Sequence, residues 1–526
     1  MLDLTADVLV VGGGPAATWA AFKAAQAGAD VVLADKGYCG TSGATASAGT
    51  GVWYVPPDPD RRDAAMASRE GLGGYLADRR WMARVLDQTS EAMGELAELG
   101  RYPFPRGDDG RQLRHGLQGP EYLRRMRILL RRVGVRVLDH SPVTEPVADA
   151  SGAVAGAAGY RRQQDTPYRV RAGAVVPATG GCAFSSGALG CDVDTGDGAM
   201  MTAEAGAALS GMQFSNAYAI APKSTSVTKT ACYSYATFFH EDGSVLEGAG
   251  SQRGRSVIAR ALVSERVFCR LDHAGETLRR TMSLAQPNFF LPFDRLGIDP
   301  FTQRFEITLL AEGTVRGTGG LHLAGDDCST GVPGLYAAGD AATRELICGG
   351  FTGGGSHNAA WAMSSGIWAG RAAAAHARSL GPHAGTRRVH ATGAAGLRPV
   401  GKAGRADGHR EVVDAVQREV LPYDKNLRDG SRPEPALAEL DHVGAQARES
   451  LFGTARDAVR ARQAAAMVAH ARWMYTAAPA RTEARGMHTR ADFPRQDPGQ
   501  HHRLLTGGLD EPWVRPLAGA AERVAS

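Results

Sequence analysis

The chain has 526 residues, of which 43% are apolar, so it is long enough for several domains that each bury a core. Its 59 basic and 55 acidic side chains leave a formal charge of only +4, which argues against nucleic acid or an anionic membrane as a partner. We find no run of about 18 apolar residues, no export leader and no C-x-x-C pair among the seven cysteines. The sequence therefore predicts a cytoplasmic protein without a membrane span or a metal site, in which any iron–sulfur cluster would belong to a partner.

The first predicted unit is a strand, a glycine-rich turn and a helix. Residues 8–11 form an uninterrupted apolar run, which is typical of a strand buried in a parallel sheet. The glycines that follow have the spacing of a turn that approaches a pyrophosphate, and the helix after them presents free N–H groups to phosphates. The predicted contacts of this turn with a dinucleotide are Gly12, Gly14, Pro15, Ala16 and Ala17.

A second strand and an acidic residue complete this unit. The first helix is predicted to end at Gly28, and the apolar residues 31–34 then lead directly into Asp35. A carboxylate at this point accepts hydrogen bonds from ribose hydroxyls. The order of these features predicts a dinucleotide site, without distinguishing a flavin from a nicotinamide.

Small residues dominate the next loop, at 36–49. Because small side chains let the backbone lie close to a flat ligand, we predict ligand contacts here rather than a flexible loop. The candidate contacts are Lys36, Thr41, Ser42, Gly43, Ala48 and Gly49. Beyond the loop, the sequence predicts helices over residues 74–99 and 120–133 and a β-meander between residues 143 and 176.

The strand-and-glycine pattern recurs later in the chain. Strands predicted over residues 174–176 and 335–338 each run into glycine, and a helix is predicted to open at Asp197. We therefore expect the first domain to resume after an insertion. The predicted contacts of these segments with the same ligand are Thr179, Gly180, Asp197, Gly339, Asp340 and Ser356.

The insertion itself has a different character. Aromatic residues cluster after residue 212, a hairpin turn is predicted at 241–244, and a basic run of Arg253, Arg255 and Arg260 begins a helix. These signals predict an α+β domain. Near the C-terminus, helices are predicted over residues 411–420, 435–442 and 455–475.

Eight short motifs, taken together and in order, resemble the flavoprotein-subunit family of succinate dehydrogenase and fumarate reductase, which also includes L-aspartate oxidase and the flavoprotein of adenylylsulfate reductase. The motifs occupy residues 12–17, 42–49, 179–181, 195–198, 255–261, 318–320, 334–340 and 481–494. The resemblance implies an α/β fold, with a Rossmann-like FAD-binding domain, an inserted α+β capping domain and a C-terminal helical domain. We place the FAD-binding domain at residues 1–211 and 321–380, the capping domain at 212–320, a connector at 381–407, and the helical domain with its tail at 408–526.

The resemblance also implies a chemistry. Hydride would move between the N5 atom of FAD and a carbon atom of a small organic substrate, while Arg255 relays a proton. An arginine acts in this way only when it is desolvated among other charges, because its free pKa lies far above neutrality. His357, counted back from Arg371, falls where the family holds its substrate, and the alternative for His357 is a helix-capping role.

Two departures from the family pattern limit the substrate. Tyr218 stands in place of one carboxylate-binding histidine of the family, and Val315 or Arg316 stands in place of the other. Each lost charge-assisted hydrogen bond is worth about 1.5–3 kcal/mol, so we do not expect a respiratory succinate or fumarate enzyme. The candidate substrate contacts are Tyr218, Arg316 and Thr318.

The sequence does not distinguish between oxygen, a quinone and a separate ferredoxin-like protein as the electron partner. The alternative function is an FAD-carrying electron-transfer subunit, similar to the adenylylsulfate reductase branch, that has lost its own catalysis and works with a separate iron–sulfur partner.

The segment Ser42-Gly43-Ala44 lacks the histidine that carries covalent FAD in the respiratory members of the family. The cofactor is therefore expected to leave intact when the purified yellow protein is denatured by acid or heat. Absorbance of the supernatant and in-gel fluorescence of the denatured polypeptide measure the two fractions. Flavin that stays with the polypeptide would contradict non-covalent binding.

Overall fold

The computed structural model describes residues 1–107, 109–228, 230–251, 254–352, 354–392, 408–422, 433–451, 453 and 455–517. The strands are β1 (Leu2–Val11), β2 (Val31–Ala34), β3 (Gly49–Gly51), β4 (Gly116–Gln118), β5 (Arg136–Leu138), β6 (Val143–Ala148), β7 (Val154–Arg161), β8 (Thr166–Pro177), β9 (Leu209–Ser210), β10 (Ala217–Pro222), β11 (Thr237–Phe239), β12 (Val267–Arg270), β13 (Phe305–Glu312), β14 (Gly320–Leu321), β15 (His390–Ala391), β16 (Leu504–Gly507) and β17 (Trp513–Pro516). The helices are α1 (Pro15–Gln26), α2 (Pro59–Leu72), α3 (Arg79–Glu98), α4 (Gly119–Arg132), α5 (Asp197–Glu204), α6 (Arg255–Ala261), α7 (Glu276–Ala285), α8 (Pro287–Leu296), α9 (Gly313–Arg316), α10 (Glu345–Cys348), α11 (Gly354–Ser379), α12 (Gly408–Val420), α13 (Pro433–Ser450) and α14 (Arg456–Ala477).

A seven-stranded sheet forms the centre of the first predicted domain. Its strand order is β15-β6-β7-β8-β1-β2-β5, and the strands from β8 to β5 run parallel. Their carboxyl ends therefore meet at one edge of the sheet, which confirms the predicted Rossmann-like arrangement. The predicted meander is also present, as the antiparallel strands β6, β7 and β8.

The segment predicted as a strand at 335–338 is not a full strand. Its residues join the end of β8 through single backbone hydrogen bonds, from Tyr336 N to Val175 O at 3.0 Å and from Ala338 N to Pro177 O at 3.1 Å. This short pairing is enough to carry the chain to the same sheet edge. Gly339 thus follows it at the carboxyl ends of the parallel strands.

The helix predicted over residues 74–99 is wrong at its start. Helix α2 ends before it, at Leu72, and α3 begins only at Arg79. Gly74 and Tyr75 both have positive φ, which breaks the helical path between them. Asp78 then caps α3 by accepting a hydrogen bond from Arg80 N at 2.8 Å.

The inserted domain contains an antiparallel sheet of order β10-β13-β12-β11, with α6, α7 and α8 beside it. Its core is aromatic, and Phe289 makes edge-on contacts with Tyr233 and Phe293. The predicted turn at 241–244 forms, yet it adds only a single bridge, since β11 pairs along its length with β12. An inserted α+β layer is therefore confirmed.

The C-terminal helices α12, α13 and α14 pack together as a helical layer, and the chain then returns to the first domain. Glu483 is fully buried and accepts hydrogen bonds from Arg481 at 2.7 Å and from Arg485 at 2.6 Å. Arg485 also donates to Gly74 O, so the tail is attached beside α2. Of the predicted connector, only residues up to 392 are described, and they include β15 at the sheet edge. Residues 393–407, like Arg253, lie outside the described residues.

Among the described residues, no helix combines the length and the apolar character needed to cross a membrane.

Candidate active site

A large cavity opens at the carboxyl edge of the parallel strands. Its volume is about 1440 Å³, whereas pockets for small ligands usually have about 300–1,000 Å³. Every predicted cofactor-binding residue except Ala17 and Ala48 lines it. Ala17 is fully buried, and Ala48 accepts a hydrogen bond from Gly119 N at 3.0 Å, so these two residues support the cavity wall without lining it.

The glycine turn after β1 brings backbone to the cavity surface. Gly12 has a φ of +122°, and a Cβ added there would overlap the Ala178 carbonyl group. A Cβ added at Gly14 would meet only Gly43 Cα, at 3.8 Å, and Ser42 O, at 3.9 Å. No side chain of the described residues caps the N-terminus of helix α1, so its first N–H groups are available to a ligand.

Charged side chains cross-link the cavity wall. Asp35 is almost fully buried, which raises its pKa, and it accepts hydrogen bonds from Ser42 Oγ and from Gly37 N. Lys36 Nζ lies 2.9 Å from Asp197 Oδ2. Burial opposes the charged form of Lys36, yet Asp197 and Asp194 nearby raise its pKa. The pair therefore joins the loop after β2 to the start of α5.

The cavity wall also carries polar atoms that are available to hydrogen-bond a ligand. The Thr179 hydroxyl and Asn358 Oδ1 are both buried without a hydrogen-bond partner among the described residues. Together with three strand ends and the glycine approach, these donors and acceptors fit an extended dinucleotide such as FAD.

Two arginines that follow strands of the inserted sheet, Arg316 and Arg255, lie near enough for their charges to interact. Arg316 lines the cavity, and its Nε lies 3.0 Å from Oε2 of the buried Glu312. Arg255 lies beside them, donating from Nε to Ser251 O at 2.7 Å and from Nη1 to Tyr218 O at 3.1 Å. Burial, with the charge of Arg316, lowers the pKa of Arg255 to about 10, and Glu312 opposes this shift. Arg255 itself is not among the lining residues.

Three other predicted site residues lie outside the cavity lining. The Tyr218 hydroxyl donates to Val420 O at 2.7 Å, so it points toward α12. Thr318 is fully buried and donates from its backbone to Phe214 O. The His357 ring contacts the ring of Trp53 at a tilt of 34°, with ring centres 4.5 Å apart. Their assigned roles remain predictions that this geometry does not support.

Asn358, the residue after His357, was not predicted from the sequence. It lines the cavity and donates from Nδ2 to Val315 O at 3.2 Å. The helical period indicates this position, because Ala362, one turn later on α11, also lines the cavity. Thr230 and Gln286 of the inserted domain line it as well, and no motif marked them.

Two family models match the chain. One describes an FAD binding domain and covers residues 7–232, and the other describes the C-terminal part of fumarate reductase flavoprotein and covers residues 433–508. L-aspartate oxidase from Streptomyces coelicolor is 26% identical over 94% of this chain and 90% of its own length.

Solved structures extend these similarities to the fold. The E. coli quinol fumarate reductase chain FrdA, studied as a mutant, has a TM-score of 0.82 at 21% identity and covers 98% of this chain and 97% of its own. Adenylylsulfate reductase from Archaeoglobus fulgidus has a TM-score of 0.73 at 17% identity, covering 98% of this chain and 96% of its own. At these identities the likeness shows the fold alone.

Gly14→Ala and Gly12→Ala are expected to have different effects. The Gly14 methyl group fits the protein but occupies the cavity surface, so FAD affinity should fall about tenfold or more with little change in the Tm of the apoprotein. The Gly12 methyl group meets strained backbone and the Ala178 carbonyl group, so the apoprotein should lose about 2 kcal/mol or more of stability. Fluorescence titration and thermal unfolding measure the two quantities. Parental FAD affinity in Gly14→Ala would refute the phosphate contact at this turn.

Proposed function

We infer that this protein oxidises or reduces a carbon atom of a small organic substrate. It belongs to the flavoprotein-subunit family of succinate dehydrogenase and fumarate reductase and is an FAD-dependent oxidoreductase. Bound FAD would supply the hydride acceptor or donor at its N5 atom. We further propose that FAD binds without a covalent link. Each of the seven cysteines is a buried free thiol, which supports a reducing compartment such as the cytoplasm.

The observation that carries the proposal is the continuity of the cavity. One cavity reaches from the Gly12 turn, past Asn358, to Arg316 of the inserted domain. A dinucleotide held by the first domain would therefore share one cavity with a substrate held by the inserted domain. This supports chemistry between the two ligands in place.

Arg255 is our candidate for the proton relay. With a pKa of about 10, most Arg255 carries its proton at pH 7, and its charge interacts with that of Arg316, which lines the cavity. Arg255 would thus donate a proton readily during substrate reduction. During substrate oxidation, only the small neutral fraction of Arg255 would accept a proton. Oxidation should accelerate as pH rises toward about 10, and reduction should slow above that pH.

The same wall supports a substrate other than succinate or fumarate. Val315, which lines the cavity, offers no polar side chain, and the Tyr218 hydroxyl is directed to α12. The Tyr218 position therefore lacks the donor that a dicarboxylate would need, whereas beside Val315 the guanidinium group of Arg316 also lines the cavity.

Flavin bleaching with a panel of small organic substrates tests the function. The FAD-loaded protein is mixed anaerobically with each compound, and the oxidised flavin absorbance is followed. At least one non-respiratory substrate is expected to reduce the flavin, with succinate slow. A protein that is reduced by a ferredoxin-like donor and by no organic substrate would instead be the FAD-carrying electron-transfer subunit.

Arg255→Ala is expected to retain FAD and fold but to slow flavin reduction by substrate about 10²–10⁴-fold, as for loss of a general acid–base group. Arg260→Ala is the matched control, because Arg260 lies exposed on the same helix and, among the described residues, donates to Ser256 O at 3.1 Å. Rapid mixing measures the reduction rate, and its rise with pH should disappear in Arg255→Ala. An unchanged rate would remove Arg255 as the relay.

A further inference from the structure

We propose that Arg344 is a positioning residue that couples cofactor binding at Asp340 to the placement of α9, the turn that carries Arg316 into the cavity wall. The inference rests on the proposed function and adds to it a physical link between the cofactor side and the substrate side of the cavity. Arg344 was not among the site residues predicted from the sequence.

Arg344 is fully buried between two segments that are distant in sequence. Its Nη1 donates to Asp340 Oδ1 at 2.6 Å. Its Nη2 lies within hydrogen-bonding distance of three backbone carbonyl oxygens, those of Thr314 at 2.7 Å, Val315 at 3.2 Å and Gly317. A single planar guanidinium group therefore holds a carboxylate on one side and the backbone of the inserted domain on the other.

The carbonyl groups that Arg344 contacts belong to the end of α9. This helix has only one turn, Gly313–Arg316, so its last carbonyl groups have no helical N–H partner. Arg344 supplies donors to carbonyl groups on both sides of Arg316 in the chain, and its own backbone N–H donates to Thr318 O at 2.8 Å. The location of the guanidinium group thus defines where Arg316 leaves the backbone.

The other end of this contact belongs to the cofactor side of the cavity. Asp340 lines the cavity, and its side chain is 18% exposed. It follows Gly339, which Ser365 Oγ holds at the sheet edge through a contact of 2.9 Å with Gly339 N. A cofactor bound at Asp340 would therefore restrict the same carboxylate that orients Arg344.

Asn358 makes a second contact of the same kind. It lines the cavity and donates from Nδ2 to Val315 O at 3.2 Å. Its Oδ1 is buried without a hydrogen-bond partner among the described residues, so a donor on the bound cofactor could orient the amide group. Two residues of the cofactor side thus reach α9, one directly and one through Arg344, and α9 should be held most firmly when FAD is bound.

Hydrogen–deuterium exchange of the full chain, with and without saturating FAD, tests the inference without any turnover. Protection of the amides of residues 313–318 should rise about tenfold on FAD binding, a typical coupling between two sites. This rise is measured relative to that of α13, which lies outside the cavity lining and reports any general stabilisation by FAD. An equal change in the two segments would overturn the proposal.

Arg344→Lys separates coupling from mere support of the fold. Lysine keeps the charge, but its single nitrogen cannot span the carboxylate and the carbonyl groups. The variant should still bind FAD, and the extra protection of residues 313–318 should disappear. Since coupling is reciprocal, the Kd for FAD should rise by about the same tenfold. If exchange instead rises equally with and without FAD, so that the extra protection stays parental, Arg344 only supports the fold and the proposal is refuted.

Asp340→Ala tests the contact from its partly exposed partner, so the result does not depend on replacing the buried Arg344. With FAD at saturation, the extra protection of residues 313–318 should again be lost. A parental value in this variant would contradict the coupling.

Arg387→Lys is the matched control. Arg387 pairs with Asp149 at 2.7 Å and donates to Ala172 O at 2.8 Å, so it also joins a carboxylate to backbone, but outside the cavity lining. Its FAD affinity and its extra protection of residues 313–318 should equal those of the parent. Parental FAD binding without that extra protection would sustain the cofactor assignment while this inference failed, whereas a chain that binds no FAD would overturn both.

Discussion

The close packing of α1 against α11 is the constraint on which the site depends. Side chains larger than hydrogen at Gly366 and Gly370 would overlap the backbone of Ala16 and Ala20, so the two helices can approach only with small residues at the contact. Helix α11 then fixes the last cofactor segment, because Ser365 Oγ lies 2.9 Å from Gly339 N. A segment late in the chain thus meets the first glycine turn at the edge of one sheet.

Ion pairs that are partly or fully buried complete this arrangement at the junctions between distant segments. Lys36 and Asp197 join two parts of the first domain, while Arg344 joins Asp340 to the backbone of the inserted domain. Glu483 binds the tail in the same way. Removing charges from water costs free energy that the pairing only partly offsets, so we interpret these pairs as devices that define geometry rather than as sources of net stability.

Structural features could be predicted from the sequence where they depend on residues that are close together in the chain. The strand β1, the glycine turn and the acid at Asp35 follow one another directly, and all could be predicted. Helix α2 was missed because its only buried residue is Arg69, so no apolar stripe marks it. The cavity side of α11 was missed for another reason: each residue turns a helix by about 100°, so a count that is off by one selects His357 instead of Asn358. Glu312 was missed because its contacts with Thr228 and Cys191 join residues that are distant in sequence.

The burial of every cysteine has a practical consequence for labelling chemistry. Burial raises the pKa of Cys39 to about 12 and also raises the pKa of Cys182, Cys232, Cys269 and Cys328. Thiolate is the form that reacts with alkylating reagents and peroxide, so these side chains are protected both by access and by protonation. A new thiol at Leu284, which is 84% exposed on α7, would therefore be the reactive one. A single spin label or fluorophore can thus be attached at this position of the inserted domain without first removing the native cysteines.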